Sequence, residues 1–252
     1  VLLEGLRRLE YRGYDSAGLA VFDGDTLNAR RSVGKLRNLE ARLSSHPLPG
    51  RIGLGHTRWA THGKPTQANA HPHSAGPVTV VHNGIIENHV PLRRALEARG
   101  HHFRSQTDTE VLAHLIREQV DGGEPLLEVT RAALRRVKGS YAIVVFSTLE
   151  PEQLVVARHA SPMVLGIGRG EVHVASDVPA LLQHTRDVIF LADGDLARLT
   201  RSRIEIHDHA GHRVERALHR VQWRLDQAEK GAFEHFMLKE IHEQPRALAE
   251  TL

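Results

Sequence analysis

Apolar positions near the start of the chain recur at helical spacing: Leu2, Leu3, Leu6 and Leu9 form one stripe, Arg7 and Arg8 turn away from it, and Gly13 ends the segment. An amphipathic helix is predicted there. Gly18 to Asp23 then reads as a short strand that turns at Gly24 and Asp25 into a second strand, and Leu36 to Leu43 as a helix stopped by Pro47, Pro49 and Gly50. Arg51 to Arg58 and Val78 to His82 are strand-like and bracket a polar, proline-containing loop. Helical periodicity returns in Val90 to Ala98, Thr109 to Val120 and Leu126 to Val137, the last ended by Gly139. Short strand patterns follow at Tyr141–Phe146, Leu154–Ala157, Met163–Ile167, Val172–Ala175, Val188–Leu191, Leu196–Leu199 and Ile204–His207, and only Val178 to Gln183 among them suggests a short helix.

Strands this closely spaced leave no room for helical crossovers, so they must pair antiparallel, with the earlier helices covering the sheets. The expectation is a layered α+β domain over residues 1–219. Residues 220–252 turn polar and helical after the last strand and read as a linker toward a further domain.

Composition narrows the function classes. With 252 residues, 40% of them hydrophobic and 25% charged, the chain can bury a sizeable core as one main unit. No stretch approaches the roughly 20 apolar residues of a membrane span, and Val1 opens an amphipathic rather than a signal-like segment, so a soluble cytoplasmic protein without a membrane partner is expected. The net charge is +3 and the arginines are spread along the chain without a basic tail, which argues against a nucleic-acid partner. Cysteine is absent, which excludes disulfides, thiolate metal sites and thiol nucleophiles within this sequence. The nineteen histidines raise the question of a metal, but no metalloprotease helix motif or regular Cys/His spacing accompanies them, and no metal is expected.

Three segments carry candidate chemistry, each with a plainer alternative. His56-Thr57-Arg58-Trp59-Ala60-Thr61-His62-Gly63 sets an arginine, an indole, a hydroxyl and an imidazole at a strand end; the arginine fork suits a carboxylate, while the plain alternative is an edge strand with a solvated arginine. His82-Asn83-Gly84 follows an apolar run. Locally it reads as a two-residue hairpin turn, yet a side-chain amide beside a backbone N–H can also hold a developing oxyanion. Thr107-Asp108-Thr109-Glu110 fits a capping box from Thr107 and Glu110, whereas Asp108 could bind an ammonium group if Arg58 lay nearby, the two then matching a free α-amino acid. Asn69-Ala70-His71-Pro72-His73 and Arg12-Gly13-Tyr14-Asp15-Ser16 stay ambiguous between rigid loops and supports for a site.

In this order the segments resemble the glutaminase domain of glutamine:fructose-6-phosphate aminotransferases, the glucosamine-6-phosphate synthase family. The resemblance runs from Leu9-Glu10-Tyr11-Arg12-Gly13-Tyr14-Asp15-Ser16-Ala17-Gly18 through His56 to Gly63, Asn69 to His73, His82-Asn83-Gly84-Ile85-Ile86-Glu87-Asn88 and Thr107-Asp108-Thr109-Glu110. It continues through Ala175-Ser176-Asp177 into Lys239-Glu240-Ile241-His242-Glu243-Gln244-Pro245 and so covers essentially the whole chain. It implies a four-layer αββα N-terminal-nucleophile hydrolase fold with two mostly antiparallel sheets between helices. By the same resemblance Arg58 would bind the glutamine carboxylate and Asp108 its ammonium group, Trp59, Thr61 and His62 would line the pocket, and Asn83 and Gly84 would form the oxyanion hole. His71 would support the loop. No cofactor is required by this chemistry; the partners implied are glutamine or glutamate, fructose-6-phosphate only through an isomerase domain outside this sequence, and a parent protein that is a homo-oligomer.

Two departures qualify the activity. The family attacks the glutamine amide with an N-terminal cysteine, and this sequence opens at Val1, about one strand into the pattern, with no cysteine at all; valine cannot replace that nucleophile. The isomerase half is also outside the sequence. The expectation is a glutaminase domain that is inactive by itself. The alternatives are the amidotransferase domain of another biosynthetic pathway and a catalytically silent amino-acid-binding regulatory module.

Overall fold

A computed structural model describes residues 1–120, 122–222, 233 and 236–251. The opening stripe forms helix α1 (Leu2–Leu9), continued by a 3-10 turn at Glu10–Arg12. Strands β1 (Ser16–Phe22) and β2 (Leu27–Val33) form a hairpin, helix α2 spans Leu36–Ser45, and β3 covers Ile52–Arg58. After β4 (His73–Ala75) and β5 (Val78–Ile86) come helices α3 (His89–Glu97), α4 (Glu110–Val120) and α5 (Leu126–Leu134). The rest is strand: β6 (Gly139–Ser147), β7 (Gln153–His159), β8 (Val164–Ile167), β9 (Val172–Ala175), β10 (Asp187–Phe190), β11 (Leu196–Thr200), β12 (Ile204–His207), β13 (Arg213–Val214) and β14 (Leu218–Arg220). The short helix predicted at Val178 to Gln183 shrinks to a 3-10 turn, Val178–Ala180, started by the Asp177 carboxylate accepting the Val178 amide. In the terminal region predicted to be helical, helix α6 spans Phe236–Thr251, while residues 223–232 lie outside the described residues.

A seven-stranded sheet, β13-β12-β11-β7-β6-β5-β4, forms the centre of the molecule, and its strands pair antiparallel as predicted. The period of two in β6 divides its side chains between two cores. Ile143 and Val145 face a cluster with Val111, Leu112, Leu115 and Ile116 of α4 and Leu126 and Val129 of α5, each of these helix residues at 0% exposure. Burying one such side chain is worth about 1.5–3 kcal/mol, so this face fixes the register of the sheet against the helices. Phe146 on the opposite face joins Val81 and Leu54 under Phe22, and its ring lies 5.4 Å from that of Phe22.

That opposite face carries the second sheet layer, in two pieces: β2-β1-β3 over β5 and β6, and β14-β10-β8-β9 over β7, β11 and β12. Helices α1 and α2 cover the first piece through Leu6, Leu36 and Leu39, and the segment around Val178, Leu181 and Leu182 covers the second. The result is the α+β, helix–sheet–sheet–helix layering expected of the N-terminal-nucleophile hydrolase fold. Strand β3 pairs only with β1 and strand β9 only with β8 among the described residues, and both border one cavity of about 1610 Å³. No described helix is long and apolar enough to cross a membrane.

Candidate functional site

Arg58 ends β3 and is 3% exposed. Its Nη2 donates to the carbonyls of His62 (2.5 Å) and Gly63 (3.0 Å), and its Nη1 to that of Lys64 (3.4 Å), so the guanidinium organises the loop that carries Trp59, Thr61 and His62. Burial lowers the Arg58 pKa, opposed by the negative charges of Asp15 and Asp108, and the group remains a cation. The solvated-arginine alternative is therefore excluded. Trp59 does stand out, 61% exposed, with its ring edge-on to Tyr14 at 5.6 Å.

Asp108 sits in the turn before α4, 4% exposed, where its Oδ2 accepts the Ile86 amide at 2.8 Å and its Oδ1 lies 3.7 Å from His62 Nδ1. The capping box does not form. Glu110 instead turns back onto the Arg104 and Ser105 amides (2.8 and 2.7 Å) and the Ser105 hydroxyl (2.6 Å), while Thr107 Oγ1 meets His73 Nε2 at 3.1 Å. The long turn before the helix has more orphan amides than one cap could satisfy, and Glu110 takes two of them.

Asn83 and Gly84 lie within β5, paired with Ala142 and Tyr141 of β6, and the hairpin alternative is excluded. Gly84 has φ +130°, and a Cβ there would stand 2.1 Å from the Ser140 carbonyl oxygen. Glycine is thus required by the close approach of β6 and by a backbone conformation that other residues rarely adopt. His56 Nε2 lies 3.0 Å from Asn83 Oδ1. Arg58, Trp59, Thr61, His62, Asn83, Gly84 and Asp108 all border the same large cavity, and so does His71.

The sequence profile of the family described as "Glutamine amidotransferase domain" matches residues 30–237. The chain belongs to this family. As a glutamine amidotransferase domain it is 56% identical over 254 residues to the glutamine–fructose-6-phosphate aminotransferase (isomerizing) of Thermus thermophilus, an alignment that covers 100% of this chain and 42% of that protein. The enzyme of the same name from Methanothermobacter thermautotrophicus is 50% identical, with 100% and 43% covered. The chain thus spans about two fifths of the length of these relatives. Among solved structures, the glutamine phosphoribosylpyrophosphate amidotransferase of B. subtilis matches with a TM-score of 0.71 and 26% identity over 82% of this chain and 46% of that one.

Several residues of this amidotransferase domain were left ambiguous by sequence reasoning or missed by it. Asp15, in the undecided Arg12–Ser16 turn, accepts the Ala60 amide on Oδ2 and faces Arg58. Asn69, 1% exposed, donates to the Lys64 carbonyl at 2.9 Å and accepts the Gln106 amide at 2.8 Å, joining the Arg58 loop to the Asp108 turn. His71 and His82 share the Thr109 hydroxyl at 3.0 and 2.9 Å. Burial, reinforced by neighbouring imidazoles, pushes the His71 pKa well below its ordinary value, and burial, partly offset by the Asn83 hydrogen bond, pushes that of His56 down to about 4. Among the described residues no group of three or more histidine and carboxylate side chains could hold a metal. The signal available in the sequence was the density of His, Asn and Thr around the motifs; it could not say which of them touch.

Proposed function

We propose that this chain forms the glutamine site of a cytoplasmic sugar-phosphate aminotransferase. Arg58 binds the α-carboxylate of glutamine and Asp108 its α-ammonium group, while Trp59, Thr61 and His62 line the pocket. The Asn83 carboxamide and the Gly84 amide donate to the oxyanion that forms when a thiolate adds to the side-chain amide. Collapse of that adduct expels ammonia and leaves a thioester, which water hydrolyses to glutamate. In the whole protein the ammonia passes to fructose-6-phosphate held by an isomerase domain, giving glucosamine-6-phosphate, in a homo-oligomer.

One observation carries the proposal: the opposite charges of Arg58 and Asp108 and the two oxyanion donors border a single cavity, although fifty residues separate the two charges in sequence. We place the thiolate on an extended segment seated between the edges of β3 and β9 that have no partner strand among the described residues and that border that cavity as well. Residues 1–219 are the glutaminase unit in this reading and residues 220–252 a linker. Its identity to the sugar enzymes along its whole length favours this parent over amidotransferases of other pathways.

The test is ammonia release from glutamine by the 252-residue chain and by the full-length protein, with calorimetry for glutamate binding. The cysteine-free chain should hydrolyse glutamine orders of magnitude more slowly than the full-length form. Substantial hydrolysis by the cysteine-free chain would overturn the nucleophile assignment, and failure of the folded full-length protein would overturn the glutaminase function.

A further inference from the structure

The Asn83 carboxamide can face the cavity with either end. With Nδ2 inward it donates to an anion; with Oδ1 inward it repels one. Which end faces in depends on the one group that holds the other end, His56. This imidazole is 8% exposed, carried on β3 opposite Gly18 of β1, with Nε2 3.0 Å from Asn83 Oδ1. Asn83 Nδ2 has no partner among the described residues.

Hydrogen-bond direction fixes the neighbouring rings. The Ser140 carbonyl only accepts, so His82 Nε2, 3.4 Å away, carries the proton, and His82 Nδ1 accepts from the Thr109 hydroxyl at 2.9 Å. The Thr109 oxygen is then the acceptor for His71 Nε2–H at 3.0 Å, which leaves His71 Nδ1 without a proton. The His71 ring lies against His56, 4.0 Å between centroids. Buried His56 Nδ1 faces the His82 backbone without a hydrogen bond of normal geometry, so a proton there is less well accommodated than one on Nε2. A proton on Nε2 has an acceptor in Asn83 Oδ1. Burial keeps these rings neutral, each with a single proton to place.

We propose that His56 is a positioning residue for glutamine hydrolysis: its Nε2–H holds Asn83 Oδ1 and thereby turns Asn83 Nδ2 into the cavity as an oxyanion donor. The inference rests on the glutaminase reading of the site. The competing arrangement places the His56 proton on Nδ1, toward the His82 backbone, and takes Asn83 Nδ2 as donor to Nε2, which would aim the carboxamide oxygen at the oxyanion.

Two measurements decide between them. Nitrogen-15 NMR of the imidazoles in the chain itself, from about pH 5 to pH 8, should show His56 protonated on Nε2 only; an Nδ1–H tautomer overturns the proposal. In the full-length protein, His56→Leu should lower kcat for glutamine hydrolysis about 100-fold with little change in KM. His56→Gln, whose amide can donate to the same oxygen, should recover most of that loss. Asn83→Ala should cost about as much as His56→Leu, and the double variant little more. Unchanged kcat in His56→Leu, additive losses, or a folded His56→Gln as impaired as His56→Leu would each overturn the assignment. If folded wild-type full-length protein hydrolyses no glutamine, the glutaminase reading fails and takes this role with it; that outcome is distinguished by an intact Nε2–H tautomer in the chain.

Discussion

Asp15 Oδ1 and Arg58 Nη1 lie 3.7 Å apart where the β1–β3 ladder ends, with the Asp15 side chain 16% and the Arg58 side chain 4% exposed. The Asp15 backbone amide also donates to the Arg58 carbonyl at 3.2 Å, so the turn before β1 grips the end of β3 through main chain and side chain together. The close approach depends on Gly13, where a Cβ would stand 2.7 Å from the Thr57 carbonyl oxygen.

Replacing Asp15 with alanine leaves the Arg58 guanidinium without its nearest carboxylate and the Ala60 amide without its acceptor. We expect a loss of about 1–3 kcal/mol in urea unfolding. Glutamate binding should weaken as well, because the loop that presents Thr61 and His62 loses the anchor at its Ala60 end. Calorimetry on the same variant checks it; unchanged affinity would show that the loop is held without Asp15.

Asp108→Asn separates charge from structure. The carboxamide oxygen can still accept the Ile86 amide, which Asp108 accepts at 2.8 Å, so stability should change by less than about 1 kcal/mol. In the full-length protein the KM for glutamine should rise roughly 10- to 100-fold through loss of a charge-assisted contact. A KM equal to that of the wild type would remove Asp108 from the ammonium site.

Gly84→Ala should destabilise the protein by at least about 3 kcal/mol, because the new Cβ meets the Ser140 carbonyl oxygen at a φ of +130°. Gly100 is the control. It has φ +88° with nothing within 4 Å of a built Cβ, so Gly100→Ala should cost only about 1 kcal/mol. Equal costs in chemical denaturation would show that backbone conformation alone, and not the approach of β6, demands glycine at position 84.

Acid should weaken the fold in two windows. Burial lowers the pKa of His56 to about 4, and burial together with nearby cationic groups lowers that of His73 to about 3, so both are neutral when folded at pH values where the unfolded chain protonates them. Their contribution is complete above about pH 6.5 and is lost as the pH falls toward those values, with a slope of about 1.4 kcal/mol per pH unit for each ring. Burial alone would raise the Glu110 pKa, but the His114 ring 3.7 Å away and the hydrogen bonds from Ser105 and the Arg104 amide outweigh it and lower it to about 2. Its contribution is therefore present above about pH 4.5 and lost below. Urea unfolding from pH 8 to pH 4 should follow the first window, and His73→Asn should flatten the slope.

The sequence by itself determined most of the helices and longer strands, and it proposed Arg58 and Asp108 as charged groups of the candidate site. Alternation in β6 and helical spacing in α4 are local properties of the chain, set by which side of an element is apolar, and they can be read without knowing the partner surface. The ordered motifs also named Arg58, Asp108, Asn83 and Gly84. Only the tertiary structure decided between a hairpin and a mid-strand Asn-Gly, because the answer lies in the approach of Ser140, fifty-six residues beyond Gly84. It likewise turned Glu110 away from a capping box toward amides ahead of its helix, and it divided the second sheet layer around a cavity. The hydrogen bonds of His56 to Asn83 and of Asn69 to Gln106 join segments far apart in sequence. Hydrogen-bond partners depend on angles and distances that emerge only when the layers close, and for that reason the supporting shell of the site was not legible in the sequence, whereas its periodic frame was.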